Sequence, residues 1–383
     1  NSSTATDAPR STWVSRMTCS SSSGVEALCV PAAPAIVSNL WGLAGVRLGM
    51  GLTQAAAYPN LGNISQRWFP RSVRTSMQGF VSSFAGRAGA ACSPLIIASL
   101  LMGLCGLSWQ SALVVTAATG FVFAAVFFLL FRNSPREHPW ANVAEAELVE
   151  KGEVVESDKQ RVRFDWSPRN ISNLLFFFGA SFSSTFADNL FVFWMPTFLV
   201  QAKGFSPAEM GLFASLPLFG GALGGLCGGF LNDWLIRTIG NRRWARRLIA
   251  GGCKVIAAVL ICCSLLFEDG QMIMGVLFFC KFFSDMSQPT WWGTVTDIGG
   301  PAAGRVFGMV NTVGAAGLFA AGPIMAWVKT EYGFDGLFYF VAGVYLVTTA
   351  CWLNVDCTRR LVVVDSASDW WSSTLPDDPV EEA

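Results

Sequence analysis

Charged residues are scarce in this sequence, and so is histidine. Of its 383 residues 14% are charged, whereas a soluble globular domain carries about 25%. The 26 basic and 26 acidic side chains cancel, so the broad basic surface of a nucleic-acid-binding protein is missing. The single histidine, His138, argues against a histidine-rich metal site or a Ser-His-Asp triad. The sequence therefore predicts no metal, no cofactor and no nucleic-acid partner.

Apolar residues, by contrast, are abundant. They make up 52% of the chain, and the mean hydropathy is +0.45. A transmembrane helix needs about 20 mostly apolar residues, and nine stretches meet this condition. The predicted spans are 36–58, 76–104, 109–131, 171–200, 209–236, 245–267, 271–296, 306–328 and 334–354. Most of the eleven cysteines lie in apolar runs without C-x-x-C spacing, where cysteine acts as a small hydrophobic residue. The chain is predicted to be an all-α, polytopic membrane protein.

Lysine and arginine are concentrated in alternate connections between these spans. Basic residues follow the first, third, fifth, seventh and ninth spans, whereas Lys203 and Lys329 are the basic residues after the fourth and eighth. Because the basic side faces the cytoplasm, the C-terminus is predicted to be cytoplasmic and the N-terminus to lie on the opposite side. In a bacterium the protein would lie in the plasma (inner) membrane.

The long connection after the third span divides the chain. We predict a disordered or non-native stretch (1–35), an N-terminal group of spans (36–131), a cytoplasmic loop with a short surface helix (132–170), a six-helix bundle (171–356) and a cytoplasmic tail (357–383). A weak repeat supports this division, since Gly86-Arg-Ala-Gly89 before Pro94 corresponds to Gly314-Ala-Ala-Gly317 before Pro323. Parallel repeats of this kind occur in the two halves of major facilitator transporters.

Four groups of residues carry a family resemblance. They are Arg47-Leu-Gly-Met-Gly-Leu-Thr-Gln54 with Tyr58-Pro59 and Arg67-Trp68-Phe69-Pro70; Arg132-Asn-Ser-Pro135-Arg-Glu-His138-Pro139; Trp194-Met-Pro196-Thr-Phe198-Leu199 with Lys203-Gly204-Phe205-Ser206; and Gly229-Phe-Leu-Asn-Asp233 with Arg237, Arg242 and Arg243. Together they resemble the major facilitator superfamily, specifically the anion:cation symporter family of sugar-acid, hexuronate and phthalate carriers and of vesicular glutamate, sialate and phosphate carriers.

The resemblance implies a fold and an activity. It implies twelve helices with both termini cytoplasmic in a complete member, and it aligns span 36–58 with the fourth helix, so the first three helices are missing here. It also implies alternating access and secondary transport of a small organic anion, a sugar acid or other carboxylate, coupled to H⁺ or Na⁺, by a monomer in the lipid bilayer. The missing first helix supplies an arginine and an acidic proton site in the family.

Two candidate substrate residues lie in the first span. Arg47 is permanently charged, and its planar fork suits a carboxylate or phosphate; the alternative is a structural pairing with a helix end or an acid. Gln54 lies two turns further on the same face, where many family members have a titratable acid. Because glutamine cannot titrate, coupling would use another acid, another ion or no ion at all; a retained hydrogen-bonding role is the alternative.

The later spans supply further candidates. Asn189 is a substrate candidate, and its neighbour Asp188 is a coupling candidate because burial of a lone carboxylate favours proton uptake. Lys281 and Asp285 are four residues apart and can pair on one helix face; they are coupling candidates, with a purely structural pair as the alternative.

By resemblance, Thr290, Trp291 and Asn311 line the sugar-acid site. Membrane-interface anchoring is the alternative for Trp291. The segment Gly229 to Asp233, together with Arg237, Arg242 and Arg243, resembles the superfamily's gating motif, in which the carboxylate acts as a two-state latch. Positive-inside anchoring explains the distal arginines equally well.

Two other functions stay open at this point. A membrane-embedded enzyme would need a clustered nucleophile, base or metal set, and the absence of histidine from the spans argues against it. A truncated, non-transporting fragment would account for the missing front helices. We predict a transporter and no enzymatic activity.

Overall fold

The computed structural model describes residues 40–54, 64, 68–69, 80–132, 135–150 and 162–364. The helices are α1 (Leu40–Gln54), α2 (Gly86–Pro94), α3 (Trp109–Leu130), α4 (Val143–Glu150), α5 (Pro168–Asn189), α6 (Met195–Gln201), α7 (Pro207–Ile239), α8 (Arg242–Ser264), α9 (Gly270–Met286), α10 (Gln288–Gly299) and α11 (Ala303–Asn354). π-Helical segments cover Phe80–Ala85, Leu95–Leu104 and Leu190–Trp194, and short 3-10 turns cover Pro135–Glu137 and Gly300–Ala302. Strands β1 (Val162–Phe164) and β2 (Val362–Val364) form an antiparallel pair.

Local sequence signals account for several helix starts. At α7 the Ser206 side chain and the Glu209 carboxylate exchange hydrogen bonds with each other's backbone N–H, at 3.3 Å and 2.9 Å, which is a capping box. The Ser108 hydroxyl accepts from the backbone N–H of Ser111 at the start of α3. Pro289 occupies the first turn of α10. A backbone N–H has no intrahelical acceptor in the first turn, so proline costs no hydrogen bond there.

Six helical stretches among the described residues are long and apolar enough to cross a membrane. They are Gly86–Leu104, Trp109–Leu130, Pro168–Gln201, Pro207–Ile239, Arg242–Ser264 and Ala303–Asn354. The last has 52 residues and is broken at Gly333, where φ is 71° and ψ is −169°, so it contains the two spans predicted at 306–328 and 334–354. The predicted span 271–296 is divided, because α9 ends at Met286 and Pro289 starts a new helix.

Several predictions fall on residues that the structure leaves out. The N-terminal stretch 1–35 and the tail beyond residue 364 lie outside the described residues, as do the ends of span 36–58 and the motif residues Tyr58, Pro59, Arg67 and Pro70. The described part of the long connection contains the predicted short helix, α4.

The chain forms two compact units. The first comprises the described residues of 1–154, 190–227 and 259–285. In it the glycines of α7 allow close helix packing, since a Cβ at Gly220 would collide with the Phe278 carbonyl group and a Cβ at Gly224 with that of Phe282. Small residues spaced four apart have this packing role in membrane helices.

The second unit comprises 155–189, 228–258 and 286–383, again as far as these residues are described. The α5 helix packs along the first part of α11, where the Thr185 hydroxyl donates to the Gly314 carbonyl at 2.6 Å and Gly317 lies against the Phe182 backbone. The buried core of this unit includes Phe177 and Trp352. The β1–β2 pair joins the chain before α5 to the chain after α11.

Candidate functional site

The first candidate site lies on α1, which carries Arg47 and Gln54. Both side chains are exposed, and Arg47 is the one charged residue of the helix. A Cβ added at Gly45 or Gly51 would meet no described residue within 4 Å. An exposed cation on an otherwise apolar helix can hold an anion through a two-point contact.

A cluster of three charges lies in the first unit. The Lys281 Nζ donates to Asp285 Oδ1 at 2.8 Å, and both side chains are fully buried. The Arg87 Nε lies 3.3 Å from Asp285 Oδ2, and the Lys281 ammonium lies 5.4 Å from the centre of the Phe191 ring. The predicted helical pair thus exists, but its carboxylate is shared with a second cation. Sequence reasoning missed Arg87, although it is the one charged residue of span 76–104.

A buried lysine, Lys254, marks a second polar cluster, this one in the second unit. Its Nζ lies 3.0 Å from the Ser184 Oγ and 5.1 Å from the Tyr345 ring centre. Ser184 and the buried Asp188 are four residues apart on α5, so they share a helix face. The ammonium therefore lies about one helical turn from the Asp188 position. Sequence reasoning missed Lys254, the one charged residue in the middle of span 245–267.

Asn189 lies beside this cluster on α5. Its side-chain Nδ2 donates to the Leu318 carbonyl at 3.4 Å. Its buried Oδ1 accepts no hydrogen bond in the part of the chain that the structure describes. A buried amide oxygen of this kind is an acceptor that a hydroxyl group of a ligand can satisfy.

The three residues expected to bind the rest of the substrate, Thr290, Trp291 and Asn311, have different surroundings. The Thr290 hydroxyl is fully buried and donates to Asn232 Oδ1 at 3.3 Å. The Trp291 ring packs in an aromatic cluster with Phe177 and Phe307, at centroid distances of 6.0 Å and 5.6 Å. Asn311 is exposed on α11. Thr290 and Trp291 are thus held by protein contacts, whereas Asn311 is accessible.

The arginines after the predicted gating motif pair with acids that are distant in sequence. Arg242 and Arg246 contact Asp297 at 3.4 Å and 2.8 Å, and Arg243 contacts Asp356 at 3.1 Å. Sequence reasoning missed both acids.

Within the predicted gating motif itself, Asp233 and Arg237 are exposed and Gly229 is half-buried. Asp233 Oδ1 accepts from the Asn232 side chain at 3.4 Å.

Asp356 lies outside the predicted spans, and its pKa is lower than the ordinary value of an aspartate. Burial acts to raise its pKa, but hydrogen bonds from the Thr358 hydroxyl and backbone N–H, together with the charges of Arg243 and Arg359, outweigh burial and lower the pKa. The carboxylate is therefore favoured in the folded protein. Among the described residues no group of three or more His, Cys, Asp or Glu side chains is placed to hold a metal ion.

A family model described as Major Facilitator Superfamily matches residues 16–322. The chain belongs to the Major Facilitator Superfamily. Membership confirms the predicted fold class of a polytopic, helical membrane protein. It also makes the chain a secondary transporter and not an enzyme, which removes the membrane-embedded enzyme from the alternatives.

Several members of the superfamily are similar in sequence. The chain is 29% identical over 344 residues to the probable galactarate/D-glucarate transporter GudP of Bacillus subtilis (strain 168), covering 85% of this chain and 73% of the relative. It is 26% identical over 361 residues to the probable sulfoacetate transporter SauU of Cupriavidus necator, covering 87% and 79%. It is 27% identical over 326 residues to the probable galactarate/D-glucarate transporter GarP of Escherichia coli (strain K12), covering 81% and 71%.

Two solved structures share the fold. A D-xylose-proton symporter matches with a TM-score of 0.64 at 14% identity, covering 90% of this chain and 82% of that one. The E. coli fucose:proton symporter FucP matches with a TM-score of 0.55 at 15% identity, covering 90% and 84%. These likenesses support the major facilitator fold and leave the roles of single residues open.

Proposed function

We propose that the chain is a symporter of small organic anions, of the sugar-acid type, coupled to H⁺ or Na⁺. The observation that carries the proposal is the exposed Arg47 on the apolar helix α1. A charge is costly within a membrane, about 2.5–3.5 kcal/mol on insertion scales, and usually marks a substrate or ion pathway. The names of the relatives support an acid as substrate, because galactarate, glucarate and sulfoacetate are all organic anions.

In this proposal Arg47 anchors the substrate carboxylate. Gln54, Asn189, Thr290, Trp291 and Asn311 bind the rest of the molecule. The amide and hydroxyl groups hydrogen-bond to substrate hydroxyls, and the tryptophan face contacts the apolar side of a sugar chain. Two observations support these roles: Asn311 is exposed, and Asn189 Oδ1 accepts no hydrogen bond from the described residues.

Coupling in this proposal uses the buried charges. Asp188, close to the Ser184–Lys254 contact, and the pair Lys281 and Asp285 are groups whose ion pairing can change between two conformations. Opening and closing at the cytoplasmic side use Gly229, Asp233, Arg237, Arg242 and Arg243. The protein acts as a monomer in the plasma (inner) membrane of a bacterium, with its C-terminus in the cytoplasm.

Uptake into proteoliposomes tests this function. The purified chain is reconstituted, and uptake of radiolabelled D-glucarate is measured under an inward proton gradient, an inward sodium gradient and neither. We expect one gradient to stimulate uptake and Arg47→Gln to reduce it at least about tenfold, since a charge-assisted contact contributes about 1.5–3 kcal/mol.

Arg305→Gln is the matched control, because Arg305 is exposed at the start of α11. It should leave uptake unchanged. Unchanged uptake by Arg47→Gln for every organic acid tested would contradict the anchor role.

A further inference from the structure

Three side chains of α5 hydrogen-bond to backbone carbonyl groups of α11 in one regular series. The donors and their acceptors are Ser181 with Val310 at 3.1 Å, Thr185 with Gly314 at 2.6 Å, and Asn189 with Leu318 at 3.4 Å. Successive donors and successive acceptors are four residues apart, so each set lies on one face of its helix. The offset between donor and acceptor is 129 residues in every pair. The two helices are therefore parallel and in register along this series, which we call the α5–α11 ladder.

The contact in the middle of the ladder is the shortest. Its 2.6 Å is at the short end of the range for hydroxyl donors, about 2.5–3.0 Å, whereas the 3.4 Å of the Asn189 contact is longer than the range for N–H donors, about 2.7–3.2 Å. The Asn189 contact therefore holds its side chain only weakly. The alignment of α5 with α11 at Asn189 depends on the hydrogen bond between Thr185 and Gly314, one helical turn earlier.

Asn189 is the last residue of the ladder and of α5. The π-helical segment Leu190–Trp194 follows it, and such segments are frequent at functional sites. The Leu318 carbonyl can only accept a hydrogen bond, so the group of Asn189 that faces it is the amide NH₂. This contact fixes which way the amide points. The Asn189 Oδ1, which is buried and accepts no hydrogen bond from the described residues, is left as the acceptor.

We propose that Thr185 is a positioning residue of the substrate site. Its hydrogen bond to Gly314 aligns the end of α5 with α11, so that Asn189 keeps its Nδ2 on the Leu318 carbonyl and presents its Oδ1 to a substrate hydroxyl. This inference rests on the proposed function, in which Asn189 binds such a hydroxyl. Without the Thr185 contact, Asn189 is present but no longer held in the orientation that binds the substrate.

Binding of D-glucarate to the purified chain, measured by isothermal titration calorimetry, tests this role. Thr185→Val keeps the shape of the side chain and removes its hydroxyl. It should weaken binding about three- to tenfold, the effect of losing one hydrogen bond. Thr185→Ser keeps the hydroxyl and should bind D-glucarate like the unmodified chain. Unchanged binding by Thr185→Val, or an equal loss in Thr185→Ser, overturns the positioning role.

Thr349→Val is the matched control. The Thr349 hydroxyl, on the second part of α11, donates to the Gly251 carbonyl of α8 at 3.1 Å, so it makes the same kind of contact between helices outside the ladder. Both valine variants should lower the melting temperature by similar amounts, since each removes one such hydrogen bond. Only Thr185→Val should lower the affinity for D-glucarate. An equal loss of affinity in Thr349→Val would mean that any loosening of the helices weakens binding, and it overturns the specific role of Thr185.

A double-mutant cycle with Asn189→Leu shows whether Thr185 acts through Asn189. Asn189→Leu should by itself weaken D-glucarate binding about three- to tenfold. Thr185→Val should then add no further loss, because the group that it positions is gone. Losses that multiply in the double variant overturn the inference and leave the proposed function intact. Unchanged binding in Asn189→Leu removes Asn189 from the site and overturns the inference with it, whereas an unmodified chain that binds no organic acid overturns the proposed function as well.

Gly314→Ala disturbs the same contact by another route, for the case in which Thr185→Val does not fold. The added Cβ would lie 3.0 Å from the Ser181 Oγ, so it moves the two helices apart slightly while the Thr185 hydroxyl stays in place. D-Glucarate should bind severalfold more weakly to this variant. Gly308→Ala on the same helix, whose Cβ would meet no described residue within 4 Å, should bind D-glucarate like the unmodified chain. Unchanged binding by a folded Gly314→Ala chain overturns the proposal.

Discussion

At the scale of single residues, the three charges around Asp285 are predicted to differ in their effect on stability. Asp285→Leu should lower the free energy of unfolding by about 3–5 kcal/mol, because removing one partner of a buried ion pair leaves an uncompensated charge. Lys281→Met should cost less, since Asp285 keeps Arg87 Nε at 3.3 Å. Apparent melting temperatures of the purified variants measure the difference. A drop for Lys281→Met as large as that for Asp285→Leu would show that Arg87 does not stabilise the carboxylate.

The same cluster shows how far the sequence predicts a site at this scale. The Lys281–Asp285 pair follows from helical spacing alone, since residues four apart share a face. The contact of Arg87 with Asp285 joins residues 198 positions apart, and no local rule contains it. Likewise Lys254 can be identified as a buried charge from hydropathy, but its contacts with Ser184 and Tyr345 depend on which helices become neighbours.

At the scale of helices, the glycines of α7 predict a contrast between two positions on one element. Gly224→Ala should lower stability by about 1–3 kcal/mol, because its Cβ would collide with the Phe282 backbone and overpacking costs this much. Gly229→Ala should be neutral or stabilising, since its Cβ would meet no described residue within 4 Å and alanine is the better helix former. Melting temperatures of the two variants test the contrast. Equal losses would mean that close packing is not what requires Gly224.

Hydropathy predicts the positions of helices better than their interruptions. The apolar stretches 109–131 and 245–267 correspond closely to α3 and to the apolar part of α8, because length and composition determine which segments can cross hydrocarbon. The break at Gly333 falls in the predicted connection between the last two spans, where only a residue without Cβ adopts a φ of 71° easily. The division of span 271–296 was not predicted, although Pro289 carries the signal for a new helix start.

At the scale of the whole molecule, the ion pairs of the second unit connect segments that are far apart in sequence. Asp356 contacts Arg243 of α8, and its backbone N–H and carbonyl both hydrogen-bond to Asn173 of α5, at 2.7 Å and 2.9 Å. The three segments are thereby joined at one residue. The alternation of basic connections predicted on which side of the membrane these arginines lie. It could not predict their partners, because Asp233 is nearer in sequence than Asp297 or Asp356.

The contacts of the Asp356 carboxylate predict how the free energy of unfolding depends on pH. Its pKa is lower in the folded protein than its ordinary value, so the charged form stabilises the fold. This contribution is fully present above the unfolded-state pKa of about 3.9 and is lost as the pH falls through the lower folded-state value. Asp356→Asn should therefore cost about 1.5–3 kcal/mol at pH 7, the usual range for hydrogen bonds to a charged group.

The melting temperatures of the unmodified chain and of Asp356→Asn, measured from pH 7 to pH 3, test this prediction. Their difference should be constant down to about pH 5 and should narrow below about pH 4, because protonation of this carboxyl group in the unfolded state begins to offset the stabilisation by the charged form in the folded state. Asp335→Asn is the matched control, because Asp335 is exposed, and it should melt like the unmodified chain at pH 7. A difference in melting temperature that persists unchanged at pH 3 would mean that the shape of the Asp356 side chain, and not its charge, stabilises these contacts.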